Sequence, residues 1–172
     1  MQFGAHSGLH KREFVLHTFV RCKANTAQVK AFIVINFHSD TMTTKIFLNL
    51  PVKDLNKAIE FFTKLEFSFD PQFTDENATC MIVGEDIFIM LLVEKFFKTF
   101  TKKEICDTAK NTEMIVALSA ESREKVDQMI NKVVEAGGRE YREPQDHGWM
   151  YERSFEDIDG HVWEIVHMDE MR

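Results

Sequence analysis

Glu164 is a carboxylate set between Trp163 and Ile165 in an otherwise apolar run from Val162 to His167. Strand alternation puts it on one face with Val162 and Val166. Facing a closed apolar hollow, such an acid has a raised pKa and suits proton transfer or the gripping of a cationic ligand; facing solvent or a partner subunit, it is a solvated charge. His147 lies in Gln145-Asp146-His147-Gly148-Trp149, after Pro144 and before a strand, where a loop residue reaches over a pocket mouth or simply sits on the surface. Asp146 beside it could tune the imidazole, and a metal held by His147 with Glu164 is one reading of the pair. Asn49 is a polar residue in an apolar strand, so if buried it needs hydrogen-bond partners, and a ligand is one candidate. Trp149, Tyr151 and Trp163 offer aromatic surface for a planar or cationic ligand, or for the core or a dimer interface. His161 follows a turn glycine and is expected to be exposed; His167 falls on the face opposite Glu164.

The elements that must position these groups come from periodicity. Ile46 to Leu50 reads as a strand ending at Pro51, and Asp54 then stands as an N-cap. Leu55, Ala58, Ile59, Phe62 and Leu65 come next at the spacing of one buried helical face. Two apolar runs, Thr79 to Val83 and Ile87 to Val93, are joined by the hairpin signal Gly84-Glu85-Asp86. Phe96 to Lys110 is a bridge. Met114 to Leu118 begins a second copy, continued by a polar cap region at Ser119 to Ser122 and the helical face Val126, Met129, Ile130, Val133 and Val134. Gly137-Gly138 supplies the helix stop, and two last strands flank a turn at Asp157-Ile158-Asp159-Gly160. A shift of 68 positions lays Leu50 on Leu118, Asp54 on Ser122, Ala58 on Val126 and Leu65 on Val133. Strand, cap and helix face agree at one offset, which marks an internal duplication.

Composition bounds the classes of function. The chain has 172 residues, 44% of them hydrophobic, and a net charge of −7, which excludes a nucleic-acid backbone or an anionic membrane surface as the expected partner and favours a cationic or neutral small molecule. No apolar run is long enough to span a bilayer. Cys22, Cys80 and Cys106 are odd in number and lack C-x-x-C spacing, so neither a disulfide framework nor a zinc knuckle is expected, and a reducing cytoplasm is the simplest home. Residues 1–41 carry +3, leaving −10 on the rest, and this marks a boundary. The leader lacks the amphipathic pattern of a transit peptide and reads as a dispensable extension, with Phe32 to Phe37 a candidate edge strand. The domain is expected over 42–172, with module one at about 44–95, the bridge at about 96–111 and module two at about 112–169.

Asn49-Leu50-Pro51-Val52-Lys53-Asp54-Leu55, then Ala58-Ile59-Glu60-Phe61-Phe62, resembles the opening of the glyoxalase, bleomycin-resistance and extradiol-dioxygenase superfamily, the vicinal-oxygen-chelate proteins. Phe155 to Ile165, with Asp157-Ile158-Asp159-Gly160 and Glu164, resembles the family's closing hairpin, and the stretches around Asn49 to Leu55 and Gln145 to Glu164 look like bacterial lactoylglutathione lyase-like proteins. The resemblance implies an α+β fold of two βαβββ modules forming a cupped eight-stranded mixed sheet, a small ligand inside the cup, and a homodimer. It also implies a divalent transition metal held by His, Gln or Glu on the first and last strand of each module. Those stations fall on Phe47, Met90, Ile115 and Glu164, so only Glu164 remains a ligand and the metal is not expected at the usual site. Two functions are compatible with this: a protein binding a small organic molecule, with proton-transfer or lyase chemistry through Glu164 and His147, or a non-enzymatic drug- or metabolite-binding dimer of the bleomycin-resistance type. The cup is expected to be lined by Phe47, Asn49, Met90, Ile115, Trp149 and Tyr151.

Overall fold

The computed structural model describes residues 44–169; the leader, with its candidate strand at Phe32 to Phe37, lies outside them. The first module runs β1 (Ile46–Val52), α1 (Leu55–Lys64), β2 (Ser68–Asp70), a 3-10 turn (Pro71–Phe73), β3 (Ala78–Gly84) and β4 (Ile87–Val93). A short helix α2 (Glu94–Phe97) opens the bridge. The second module runs β5 (Ile115–Ser119), α3 (Arg123–Ala136), β6 (Arg139–Asp146), β7 (Met150–Glu156) and β8 (Val162–Met168). This is the α+β arrangement of two βαβββ modules.

The two helices start at matched positions for the same reason. The Asp54 side chain accepts a hydrogen bond from the Lys57 amide at 3.1 Å, and Ser122 Oγ accepts one from the Lys125 amide at 3.3 Å, each satisfying a free donor of the first turn. Asp54 and Ser122 are 68 residues apart, as are Lys57 and Lys125. Gly137 ends α3 in the left-handed conformation, at φ 103°, which side chains with a Cβ resist. Gly138 has a second duty: a Cβ there would lie 2.8 Å from the Glu156 carbonyl oxygen, so only glycine lets α3 turn this closely onto β7.

The strands form two four-stranded sheets, ordered β1-β4-β3-β2 and β5-β8-β7-β6, rather than one hydrogen-bonded sheet of eight. In each, the first strand pairs parallel with the last and the remaining pairs are antiparallel. β1 continues through Pro51, where the sequence suggests an end. Its pairing on one side only makes the missing N–H harmless. Neither β2 nor β6 is announced by an apolar pattern. β6 is a polar edge strand whose register slips on both sides of Arg142, so it carries no alternation to read.

One core holds residues from both modules: Leu50, Met81 and Ile89 from the helix-covered face of the first sheet, Phe155, Trp163 and Ile165 from that of the second, and Phe62, Val126 and Ile130 from the helices. Phe62 lies 5.2 Å from Trp163, which in turn stacks on Phe155. Because each sheet turns one face to this common core, the other two faces, here called open, turn away from it.

Candidate functional site

Strand register decides which side chains share an open face. In the first sheet Asn49 lies opposite Met90, Met90 opposite Cys80 and Cys80 opposite Asp70, one row across four strands. The second sheet has the corresponding row Ala117, Glu164, Ser154, Arg142. Asn49 and Ala117 are related by the 68-residue shift, so Met90 and Glu164 occupy the same station in the two modules. Phe47 and Ile115, also 68 apart, stand two residues earlier on the first strands and are each 53% exposed.

Glu164 does not stand alone among apolar walls. Arg142 reaches across Ser154 and donates from Nη2 to Glu164 Oε1 at 2.8 Å, and the same Nη2 donates to Glu152 Oε1. The two carboxylates are only 18% and 13% exposed, and they share this guanidinium. Beneath it, Ser154 is 1% exposed and its hydroxyl has no hydrogen-bond partner among the described residues. A buried hydroxyl left unpaired costs roughly 1–3 kcal/mol, so its persistence calls for an occupant that supplies the missing bond. Sequence reasoning misses Arg142 and Ser154 because both become visible only through the register of the irregular strand β6 against β7.

The other expected site residues are dispersed. Phe47 stacks on Phe88 at 5.0 Å and, with Asn49 and Met90, belongs to the first sheet's open face. Ile115 and Glu164 belong to the second. The shared core separates these two sets within one chain. Tyr151 has the parity of Phe155 and points to the helix side, where its hydroxyl donates to Asp127 at 2.9 Å. His147 and Trp149 are exposed in the β6–β7 loop. Asp146 pairs with Arg123 at 2.6 Å, and this ion pair holds its carboxyl below the usual carboxylate range. Hydrogen bonds from Arg123 to Asp146 and to the Gly148 carbonyl tie the loop to the start of α3.

The donor set does not fit the family's metal. Phe47 and Ile115 offer no lone pair, Met90 offers a thioether, and Glu164 is engaged by Arg142; among the described residues no group of three His, Cys, Asp or Glu side chains is placed to hold an ion.

His161, expected on the surface, is 3% exposed and joins the two modules. Its Nε2 donates to the Pro51 carbonyl at 2.8 Å and its Nδ1 meets Glu113 Oε1. A carbonyl can only accept, so Nε2 carries a proton; with a carboxylate at Nδ1 the ring is a cation. Burial works to lower its pKa, but Asp157, the Pro51 carbonyl and Glu113 together outweigh that and hold it above the ordinary 6.5. Asp157, pushed up by burial, accepts from the Trp163 indole at 2.9 Å and from the His161 amide at 3.0 Å. The Asp159 carboxylate accepts from the Lys53 amide at 2.9 Å, and its carbonyl accepts from the Thr108 hydroxyl at 2.6 Å. The closing turn of module two is thus a clamp on the end of β1. A cleft of about 260 Å³ lies beside it, lined by Lys53, Cys106, Thr108, Asp159 and His161 among others.

Comparison with known proteins places this geometry. No curated protein matches the chain. A hypothetical protein from S. aureus is 30% identical, with a TM-score of 0.63 over 73% of this chain and 95% of that one. A glyoxalase-related enzyme from Fulvimarina pelagi shares the fold at 16% identity and a TM-score of 0.62, covering 73% of this chain and 88% of its own. The genomically encoded fosfomycin resistance protein of Listeria monocytogenes shares it at 19% identity and a TM-score of 0.53, covering 73% and 93%. The family model matches residues 45–165, and the chain belongs to the Glyoxalase/Bleomycin resistance protein/Dioxygenase superfamily.

Proposed function

We propose that the protein binds a small organic molecule in a cup formed between two copies of the chain, the first sheet's open face of one facing the second sheet's open face of the other, with Glu164 as the acid of that cup. One observation carries the reading. Among the described residues the outer edges of β1 and β5 are unpaired, and they present Phe47 and Ile115, half exposed, at duplicated stations beside the rows that hold Met90 and Glu164. An unpaired strand edge with exposed apolar side chains is a surface that natural proteins cover. Covering both edges by a homodimer would bring Phe47, Asn49 and Met90 of one chain over Ile115, Ser154 and Glu164 of the other.

Binding is favoured over lyase chemistry by the hydrogen bond from Arg142, because it occupies the Glu164 oxygen that a proton transfer would use. A thermal-shift screen of small organic molecules against the wild type and Glu164→Gln tests the reading. Hits are expected whose stabilisation shrinks in the variant, without turnover of a glutathione hemithioacetal. Equal shifts in both proteins would contradict Glu164 as the acid of the cup, and turnover abolished by Glu164→Gln would establish an enzyme.

A further inference from the structure

The row Ala117, Glu164, Ser154, Arg142 specifies more than a generic cup, and the chemistry it selects rests on the binding site proposed above. We infer that the ligand carries a cationic N–H group, an amidinium, guanidinium or primary ammonium, which takes the place of Arg142 against Glu164 and donates to the Ser154 hydroxyl.

Three features support this. First, two nearly buried carboxylates, Glu152 and Glu164, share one guanidinium nitrogen, so the cluster has one negative charge in excess. The neighbouring Glu156 is already paired with Arg139 and adds no net charge. A second cation lets Arg142 keep Glu152 while the ligand takes Glu164, and every charge is then matched. An anion would enter a cluster that is already negative.

Second, Ser154 Oγ is buried without a partner directly under the bridge from Arg142 to Glu164. A group with several N–H donors bonds both the carboxylate and the hydroxyl; the reach of Arg142 from the far side of the row satisfies only the former. Third, Arg142 is free to give way. Its side chain is 43% exposed and sits on an edge strand at a break in register, whereas Glu152, Ser154 and Glu164 lie on the two regularly paired strands β7 and β8. The guanidinium is thus a stand-in from the chain's own edge, and it marks the chemistry that fits.

Three probes with one ring and different charge test this on the full-length, isotope-labelled protein: benzamidine, benzyl alcohol and benzoate. Benzamidine is expected to shift the backbone amides of Ala117, Ser154 and Glu164 on titration, benzyl alcohol to do so at least tenfold more weakly, and benzoate not at all. Arg142→Ala removes the internal competitor and is expected to tighten benzamidine at least severalfold, while Glu164→Gln weakens it at least tenfold. Ser154→Ala removes an unpaired buried hydroxyl, so it is expected to raise the melting temperature of the free protein while weakening benzamidine; a serine with no part in binding would leave the benzamidine affinity unchanged. Should Arg142→Ala fail to fold, the Ser154→Ala pair of readouts decides. Benzoate or benzyl alcohol binding as tightly as benzamidine, or benzamidine weakened by Arg142→Ala, would overturn the inference while leaving a ligand site on this face. If none of the three probes moves those amides in either the wild type or Arg142→Ala, the binding site itself is wrong.

Discussion

His161→Ala is expected to destabilise the protein by about 3–5 kcal/mol at pH 6, the range for removing one partner of a buried charge pair, and by distinctly less at pH 9. The substitution strips the Pro51 carbonyl of its donor, and it deprives both Glu113 and the buried Asp157 of the cation they interact with. The pH dependence has a definite sign. The imidazole's pKa in the folded protein lies above 6.5, so its contribution is fully present below that value and is lost as pH rises through the higher folded value. Wild-type stability should therefore fall from pH 6 to pH 9 while that of His161→Ala changes little. Urea denaturation at the two pH values measures this. An equal loss at both would show that the ring acts by shape alone.

Phe47→Asp and Ile115→Asp should each convert a dimer into monomers without lowering the stability of the monomer. Both side chains are more than half exposed in the single chain, and exposed substitutions of this kind change folding stability by about 0.5 kcal/mol or less. In the proposed assembly the same residues meet where the β1 edge of one copy lies beside the β5 edge of the other. A lone carboxylate desolvated there costs on the order of 3 kcal/mol, a factor of roughly 100 in dimer affinity. Light scattering should give twice the 20.1 kDa chain mass for the wild type and the chain mass for either variant. A monomeric wild type would rule out the dimer.

How far the sequence can be read depends on which elements carry a period. α1 and α3 are legible because each combines a capping side chain with an apolar face, and the same 68-residue shift relates Asp54 to Ser122. The equivalence of Phe47 with Ile115 is also legible, since no insertion separates β1 from α1 or β5 from α3. Further on, register relates Met90 to Glu164 by 74 residues, the longer α3 and β6 having displaced the later strands, and a fixed shift no longer applies. β6 is invisible: Arg139 to Asp146 is polar, contains Pro144 and pairs on one side. With it go Arg142 and the row over Ser154. Tyr151 reads as a cup residue for its aromatic ring, although its parity with Phe155, a core residue, points to the helix side. His161 looks like a turn residue because nothing in Gly160-His161 announces that the turn packs against the end of β1, more than a hundred residues earlier. That the eight strands form two sheets is likewise not written in local pattern, since which strand edges meet depends on the packing of the modules and not on either module's own alternation.

The proposed cup exists only if the β1 edge of one copy lies beside the β5 edge of another. In the proposed cup Phe47 of one chain lies beside Ile115 of its partner, because each stands half exposed at the duplicated station next to the row that lines it. Oxidation of the double variant Phe47→Cys, Ile115→Cys, followed by non-reducing electrophoresis, measures this. Covalent dimers are predicted in the double variant and in equimolar mixtures of the two single variants, and in neither single variant alone. A monomer cross-linked within one chain, or no cross-link between 47 and 115 in a protein that is dimeric by light scattering, would contradict the shared cup.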